Sequence, residues 1–255
     1  MSNSRKVAIV TGSATGTGAA IAIELAKKNY NIVVNYTKSE TEANDTADKV
    51  RAEGAECIVV QGDVSRDEDC KKLAQAAVDK WGRIDALVNN AGRTKFVPHA
   101  DLDGLSAQDF QDIYAVNTIG PFQMTRACAP YLKESGRGRI VMISSVAGTH
   151  GHGSSVAYAA SKGALNSMTK SLARALGPEI TVNAICPGMI ETRWLKEGWG
   201  EENYDRNKAS MTKKVPLANI SKPEDIADAV VWFIEGANLV TGELLLVDGG
   251  MHLVS

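Results

Sequence analysis

Short apolar runs alternate with stretches of helical spacing along most of the chain. In the helical stretches, such as GAAIAIELAKK and CKKLAQAAVDKW, apolar residues return every three or four positions. A short run that is apolar at every position is typical of a strand that helices cover on both faces. Such runs lie at residues 7–10, 32–34, 57–60, 86–88, 140–143, 181–185 and 244–247.

Seven strands joined by helical crossovers predict an α/β fold, namely a doubly wound, seven-stranded parallel sheet of the Rossmann type in three α/β/α layers. No linker, repeat or low-complexity tract interrupts the pattern, so we expect residues 1–255 to form a single domain. The second helix is expected over about residues 41–53, with Gly54 ending it in the left-handed conformation. Residues 188–215 depart from the alternation.

Composition narrows the class of protein. The chain carries a formal charge of −2 and has an isoelectric point near 6.1. We therefore expect neither a nucleic-acid partner nor a membrane surface, because both usually require a basic excess. The first strand begins so near Met1 that no signal peptide is expected either. The four cysteines lack metal-ligand spacing, and we expect them to be reduced in the cytoplasm.

A glycine-rich loop follows the first strand. The stretch TGSATGTG, residues 11–18, places Gly12, Gly16 and Gly18 where a helix begins. Such glycines let the backbone turn sharply and approach a pyrophosphate, which the N-terminus of the helix stabilises. The spacing differs from the commoner G-x-G-x-x-G, and alone it is equally consistent with a flexible turn. Its position at the start of a doubly wound sheet favours a dinucleotide.

The end of the second strand indicates which dinucleotide. An Asp or Glu usually holds the ribose hydroxyls of NAD there, but residues 35–39 read NYTKS. Lys38 supplies a positive charge, and Thr37 and Ser39 supply hydroxyls, which suit the 2′-phosphate of NADP. The alternative is that Lys38 is an ordinary solvated lysine. We expect NADP in preference to NAD, and NAD stays open.

The stretch YAASK places Tyr158 and Lys162 four residues apart, on one face of a helix. The neighbouring residues are small. Gly163 weakens a helix by about 1 kcal/mol relative to Ala. We therefore expect another backbone, or a cofactor, to approach this helix closely.

Six motifs occur in the order found in short-chain dehydrogenases/reductases, and the chain resembles that family over essentially its whole length. The motifs are TGSATGTG, GDV, NNAG, ISSVAG, YAASK and PGMIET. Within the family, the chain resembles the 3-oxoacyl-acyl-carrier-protein reductase and sugar dehydrogenase branches, which are hard to tell apart by sequence. The resemblance implies hydride transfer between a nicotinamide cofactor and a carbonyl or secondary alcohol.

The resemblance also implies the residues of the site. Tyr158 would be the acid/base, and Lys162 would lower its pKa and hold the ribose. Ser145 would bind the substrate oxygen, and Asn117 would keep a water of the proton relay. Ser145 is preferred to Ser144 because the family serine stands thirteen residues before the tyrosine. No metal site is implied. The implied cofactor contacts are Gly12, Ser13, Thr15, Gly16, Thr17, Gly18, Tyr36, Thr37, Lys38, Asp63, Val64, Asn89, Ala91, Gly92, Tyr158, Lys162, Pro187, Gly188, Ile190 and Thr192. Those from Asp63 to Gly92 would adjoin the adenosine, and those from Pro187 to Thr192 would form the loop against the nicotinamide.

The electrostatic energies are compatible with a lysine that lowers the pKa of Tyr158. Free tyrosine has a pKa of about 10, and lowering it to about 7 requires roughly 4 kcal/mol of preference for the anion. A cation about 4 Å away, at an effective dielectric constant of about 20, supplies about that much. Lys162 would provide part of this stabilisation of the tyrosine anion, and an oxidised nicotinamide ring would provide another part.

In the family, residues 188–215 form the lid over the substrate. The large side chains of this segment favour a partly apolar substrate, unless they only anchor the lid to the body. His150 and His152, in GTHGHG, would lie near the substrate mouth and are expected to be polar lining rather than metal ligands. The large lid residues are Trp194, Leu195, Trp199, Tyr204 and Met211.

The resemblance further bears on partners. Glu179 stands where carrier-protein reductases have an arginine that receives the acidic carrier, so a small carbonyl or alcohol substrate is equally expected. Family members commonly pair the YAASK helix with its copy in another subunit, so we expect a homo-oligomer and favour a tetramer. A non-catalytic NADP(H)-sensing protein is the alternative function, although its expected mark, loss of Tyr158 or Lys162, is missing.

Overall fold

The computed structural model describes residues 5–254, which form a seven-stranded parallel sheet with helices on both faces. The strand order is β3-β2-β1-β4-β5-β6-β7. The predicted doubly wound, three-layer α/β fold is confirmed. The strands are β1 (Lys6–Val10), β2 (Tyr30–Tyr36), β3 (Cys57–Gln61), β4 (Ala86–Asn89), β5 (Gly138–Ile143), β6 (Ile180–Pro187) and β7 (Leu244–Val247).

The helices divide between the two faces of the sheet. The helices are α1 (Gly16–Lys27), α2 (Glu40–Ala52), α3 (Asp67–Trp81), α4 (Ala107–Tyr114), α5 (Gly120–Glu134), α6 (Ala147–His150), α7 (Val156–Leu176), α8 (Arg193–Trp199), α9 (Glu201–Lys214) and α10 (Pro223–Val231). One hydrophobic cluster joins the sheet to α1, α2 and α10, and a second joins it to α3, α5 and α7. Within residues 5–254, no helix combines the length and apolarity that crossing a membrane requires.

Strand β1 shows why the central strands are apolar at every position. Val7 and Ile9 belong to the α3–α5–α7 cluster, whereas Ala8 and Val10 belong to the α1–α2–α10 cluster. Alternate side chains point to opposite faces, so both faces need apolar residues. The edge strand β7 is only half-buried at every residue, contrary to the expected cover on both faces, because an edge strand has a neighbour on one side only.

Gly54 ends the second helix as predicted, with a φ of +75° directly after the last turn of α2. Strand β2 is longer than its apolar run, because it includes polar residues at both ends. Among these, Asn31 accepts a hydrogen bond from the backbone N of Glu56 (3.0 Å). Polar side chains that bond a neighbouring backbone are thus compatible with a buried strand.

Asn35, near the carboxyl end of β2, connects three strand ends. Its Oδ1 accepts a hydrogen bond from the backbone N of Gly12 (2.9 Å), and its Nδ2 donates to the carbonyl of Gly62 (2.9 Å). The residue is 2% exposed. Because buried polar groups are costly when unpaired, this amide holds the glycine loop against β2 and β3.

We expect Asn35→Ala to lower the free energy of unfolding by about 2–3 kcal/mol, because it leaves buried backbone groups of two loops without partners. Urea denaturation measures this change. Asn44→Ala on the exposed face of α2 is the matched control, since that side chain bonds only the carbonyl of Glu40. Equal losses in the two variants would contradict the connecting role of Asn35.

Candidate active site

The site begins where the strand order reverses, between β1 and β4. The carboxyl ends of these two strands flank the crevice in which doubly wound sheets bind ligands. Thr11 Oγ1 accepts hydrogen bonds from the backbone N of Asn90 (2.9 Å) and of Ala91 (3.0 Å). The Asn90 amide in turn donates to the carbonyls of Thr11 (2.9 Å) and Gly12 (3.0 Å). The loops after β1 and β4 therefore form one rigid unit.

Gly18 must be glycine in this unit. A Cβ at that position would lie 2.5 Å from both Asn90 Nδ2 and the carbonyl oxygen of Gly12. Thr15 and Gly16 are exposed and Thr17 is half-buried at the start of α1. Their open backbone at a helix N-terminus fits a phosphate group.

Ser13 lies differently from the other loop residues. It is completely buried. Its hydroxyl donates to the carbonyl of Val10 (2.6 Å) and accepts from the backbone N of Asn35 (3.0 Å). The hydroxyl of Ser13 thus bonds within the chain, and the predicted contact of Ser13 with a cofactor stays a prediction.

The residues expected around the adenosine lie at or just after the carboxyl ends of β2, β3 and β4. Thr37 and Lys38 are exposed after β2, whereas Tyr36 is buried. Burial, followed by the carboxylate of Glu40, raises the pKa of Tyr36.

After β3 and β4 the implied adenosine contacts alternate between buried and open positions. Asp63 is half-buried and accepts hydrogen bonds from Ser65, while Val64 is buried. Asn89 is also buried, so the half-buried Ala91 and the exposed Gly92 are the open residues of NNAG.

Tyr158 and Lys162 lie in the first turns of α7 and are almost completely buried, at 8% and 3% exposure. The Lys162 ammonium nitrogen lies 5.7 Å from the centroid of the Tyr158 ring and donates to the carbonyl of Ile143 (2.8 Å). The side chain of Ser155 caps the helix by accepting from the backbone N of Tyr158 (3.3 Å). The pair predicted from YAASK is thus assembled against the end of β5.

Burial controls the titration of this pair. Burial raises the pKa of Tyr158 to about 12, and the neighbouring Ser145 hydroxyl acts in the opposite direction. Burial also lowers the pKa of Lys162 to about 8. Both shifts favour the uncharged form, as expected when ionisable groups leave water. The chain alone therefore moves the pKa of Tyr158 upwards, opposite to the direction expected from its lysine neighbour.

The two serines after β5 have different environments. Ser144 is buried, and its hydroxyl donates to Asn166 Oδ1 (2.6 Å). Ser145 is half-buried beside Tyr158, and its hydroxyl accepts from the backbone N of Ala147 (3.1 Å). Ser145 therefore has the more open position of the two, and its role as the serine of the site stays a prediction.

Asn117 lies in a π-helical segment, Ala115–Ile119, between α4 and α5. Its Oδ1 accepts from the backbone N of Arg93 (2.8 Å), and its Nδ2 donates to the carbonyl of Arg93 (2.9 Å) and to Ser161 Oγ (3.0 Å). The side chain is therefore fully engaged in joining the loop after β4 to α7. Single π turns inside helices occur frequently at functional sites.

The loop after β6 closes the crevice on its other side. Pro187 is buried, and Gly188, Ile190 and Thr192 are half-buried. The Thr192 methyl group lies 3.7 Å from where a Cβ on Gly16 would stand. The predicted nicotinamide loop and the glycine loop therefore face each other.

The lid segment, residues 188–215, contains α8 and α9, and its large side chains divide into two groups. Leu195, Trp199 and Met211 pack with the buried Met189, Tyr204 and Ile220. This group anchors the lid to the body. Trp194 instead contacts the ring of Tyr158, with 6.0 Å between ring centroids. The anchoring interpretation therefore fits Leu195, Trp199 and Met211, whereas the interpretation of a partly apolar substrate stays a prediction, for which Trp194 is the candidate residue.

The close approach expected at the YAASK helix is made within the chain. A Cβ on Gly148 would lie 2.5 Å from the carbonyl carbon of Lys162, and one on Gly163 would lie 3.5 Å from the carbonyl oxygen of Gly148. The backbones of α6 and α7 are thus in direct contact behind Lys162.

The histidines and cysteines form no metal centre in the described range. His150 faces His252, with 6.0 Å between ring centroids, and His252 Nδ1 bonds Asp248 (2.8 Å). No group of three or more His, Cys, Asp or Glu among residues 5–254 is arranged to hold a metal ion. Each of the four cysteines is free and buried.

Known proteins match this chain along nearly all of its length. The family model described as enoyl-(acyl carrier protein) reductase matches residues 12–252. The chain belongs to the short-chain dehydrogenase/reductase family. The resemblance drawn from the six motifs is thereby confirmed. Members of this family are oxidoreductases that use nicotinamide cofactors and act on small molecules.

Relatives with different substrates match to similar degrees. A Streptomyces violaceoruber protein assigned as ketoacyl reductase 2 of the granaticin polyketide synthase is 40% identical over 248 residues, covering 97% of this chain and 96% of its own. Glucose 1-dehydrogenase 2 of Bacillus subtilis is 36% identical over 253 residues, covering 97% and 95%. The 3-oxoacyl-acyl-carrier-protein reductase of Staphylococcus aureus is 32% identical over 250 residues, covering 97% and 98%. A Burkholderia xenovorans crystal structure assigned to this family superposes with a TM-score of 0.91 at 36% identity, covering 98% and 99%.

Several residues that position the site of this short-chain dehydrogenase/reductase were not predicted from the sequence. Asn90 stands inside the NNAG motif, so its place was visible although its bonds to Thr11 and Gly12 were not. Gly148 likewise stands inside the ISSVAG motif, whereas Phe96 had no signal, because it acts through a contact with Gly198, which is distant in sequence.

The lowered pKa of Lys162 predicts that the stability of this short-chain dehydrogenase/reductase depends on pH. This pKa is about 8 in the folded protein and 10.5 ordinarily. Between these values the unfolded chain binds more protons at this position, so the residue makes folding more favourable as pH rises. We expect the free energy of unfolding of the wild type, minus that of Lys162→Met, to increase by about 2 kcal/mol from about pH 8 to pH 10.

Urea denaturation across this pH range measures that difference. Lys170→Met on the exposed face of the same helix is the control for replacing a lysine of α7 by methionine. A difference for Lys162→Met that is flat or falls with pH would show that the ammonium group is not desolvated.

Proposed function

We propose that this protein interconverts a carbonyl compound and a secondary alcohol with NADP(H), with Tyr158 as the acid/base. The observation that most supports this proposal is that Tyr158, Lys162 and Ser145 lie together at the carboxyl end of β5. NADPH, when bound, supplies the hydride. The crevice suits such a cofactor, since the exposed Thr15 and Gly16 present open backbone at the N-terminus of α1.

Each group has a distinct task in reduction. Ser145 donates a hydrogen bond to the substrate oxygen, and Tyr158 gives that oxygen its proton. A Tyr158 pKa of about 12 keeps the phenol protonated at neutral pH, which suits it to act as an acid. Oxidation of an alcohol requires the phenolate, and the positive charges of Lys162 and an oxidised nicotinamide would favour it.

Lys162 and Asn117 complete the proposed proton path. The lysine ammonium has three donors, and the carbonyl of Ile143 accepts one of them. Two donors remain for ribose hydroxyls. Because the Asn117 side chain is occupied by Arg93 and Ser161, a relay water would bind the Asn117 backbone carbonyl, within the π-helical segment.

NADP is the proposed cofactor because Lys38 and Thr37 are exposed where the adenosine ribose would lie and residues 35–39 contain no carboxylate. A phosphate there would receive a charge-assisted hydrogen bond from Lys38. The implied contacts at Asp63, Val64, Ala91 and Gly92 extend the same crevice.

The substrate proposal is a small ketone or the corresponding alcohol. Two of the relatives described above are named for ketoacyl substrates and one for glucose. The exposed carboxylate of Glu179 disfavours an acidic carrier protein. We further infer a cytoplasmic homo-oligomer, with a tetramer favoured, from the family resemblance. An NADP(H)-sensing role without catalysis is the alternative, and the assembled Tyr158–Lys162 pair argues against it.

Tyr158→Phe tests the mechanism. The variant keeps the ring against Trp194 and removes the proton donor, so kcat/KM for ketone reduction should fall by about 10²–10⁴-fold. Because the ring is retained, the Kd for NADPH should stay unchanged in a fluorescence titration. Tyr131→Phe on α5 is the control and should keep full activity. Substantial turnover by Tyr158→Phe would refute the assigned acid/base.

Lys38→Ala tests the cofactor. Loss of one charge-assisted bond to the 2′-phosphate should raise the Kd for NADPH about tenfold and leave the Kd for NADH unchanged. Lys49→Ala on the exposed face of α2 is the matched control. Two results would contradict this assignment. One is a wild type that binds NADH more tightly than NADPH, and the other is a Lys38→Ala variant whose affinity for NADPH is unchanged.

A further inference from the structure

Three aromatic side chains, which we call the aromatic wall (Phe96, Trp194 and Trp199), stand beside Tyr158. The Trp194 ring meets the Tyr158 ring at 63° with 6.0 Å between centroids. Phe96 lies 6.2 Å from Trp194 at 67° and 6.2 Å from Trp199 at 73°. These edge-to-face contacts are the arrangement that aromatic quadrupoles favour. Trp194 is the member of the wall that reaches the acid/base.

Phe96 occupies the space that a side chain at Gly198 would need. A Cβ on Gly198 would lie 2.0 Å from Phe96 Cε2 and 2.1 Å from Cζ. No side chain larger than hydrogen can therefore stand at position 198 while Phe96 keeps its place. The phenyl ring is inserted between the two tryptophans of α8 and sets the position of that helix.

The loop that carries Phe96 is tied to the approach of α7. The backbone N of Val97 donates to the carbonyl of Ser154 (2.8 Å), and the hydroxyls of Thr94 and Ser154 share a hydrogen bond (2.6 Å). Ser155, the next residue, caps the helix at Tyr158. Phe96 therefore links the lid directly to the segment that positions Tyr158.

We propose that Trp194, held by Phe96 against Gly198, determines the substrate class, and that the site selects ketones bearing a planar aromatic or conjugated group. The inference rests on the proposed function, which requires the carbonyl to reach the Tyr158 and Ser145 hydroxyls. Trp194 packs on Tyr158 and follows Thr192 by two residues. A substituent of the carbonyl must then pass along the indole.

The chemistry of the wall favours a flat substituent. A planar ring can pack against the indole, with a gain beyond that of burying the same area. A puckered saturated ring loses that contact. A polyol needs several hydrogen-bonding partners in place of water, and the wall consists mostly of ring carbon. The proposal therefore favours an aromatic or conjugated ketone over a sugar.

The test compares two ketones of similar size, acetophenone and cyclohexyl methyl ketone. The measured quantity is the ratio of their kcat/KM values with NADPH, and comparing variants cancels the intrinsic difference in reactivity. Trp194→Ala should lower the ratio about fivefold to tenfold, mainly because the KM for acetophenone rises. Trp194→Phe should keep most of the wild-type preference for acetophenone. Trp232→Ala is the matched control, because Trp232 is 48% exposed, Trp194 is 42% exposed, and Trp232 contacts Phe233 outside the site.

A double-mutant cycle tests the insertion of Phe96. Gly198→Ala should lower the acetophenone preference as Trp194→Ala does, because the new methyl group displaces Phe96 and α8. In the Phe96→Ala background the methyl group has room, so Gly198→Ala should have no further effect. Additive effects of the two substitutions would refute the insertion.

The outcomes separate this inference from the function on which it rests. An unchanged ratio in Trp194→Ala, with Tyr158→Phe inactive, overturns the role of Trp194 alone. An active Tyr158→Phe overturns the mechanism, whatever the ratio. A fall of the ratio in Trp232→Ala equal to that in Trp194→Ala would also overturn the proposal, since the effect would not depend on the wall.

Discussion

A parallel sheet that is covered on both faces leaves one place for polar chemistry, the edge where the strands end. Along β1 every side chain from Val7 to Val10 belongs to one hydrophobic cluster or the other. Polar side chains accumulate just beyond, at Thr11 and Asn90, and there they satisfy backbone groups of neighbouring loops. Buried backbone groups need such partners. The same bonds that complete the sheet therefore also shape the crevice.

Burial at this edge assembles the site and also sets its titration. Tyr158 and Lys162 lie together because they are one turn apart on α7, and α6 contacts that helix backbone to backbone at Gly148. Removing both groups from water favours their neutral forms. A protonated phenol next to a serine hydroxyl is suited to donating a proton. Charge brought by a ligand would then adjust the pair for the reverse reaction.

The lid shows how one segment can carry two kinds of aromatic residue. Trp199 packs both into the lid's own small core and against Phe96, whereas Trp194 contacts Tyr158. The anchoring residues allow the segment to keep a defined position above the site. The indole of Trp194 therefore keeps a defined position relative to Tyr158, which a mobile loop would not provide.

The sequence by itself determined the features that depend on short spacing. Short continuous apolar runs, separated by stretches of period three to four, predicted the seven strands and the layered sheet, and YAASK placed Tyr158 and Lys162 on one helical face. These patterns are local, so residues a few positions apart are sufficient to show them.

Only the tertiary structure decided the features that depend on burial and on contacts between distant residues. It placed Ser13 inside the loop, directed Ser144 away from the site, bound the Asn117 amide to Arg93, and inserted Phe96 against Gly198. It also reversed the expected direction of the Tyr158 pKa shift. Desolvation and steric fit depend on every neighbour in space, and residues about a hundred positions apart, such as Phe96 and Gly198, become neighbours only when the chain folds.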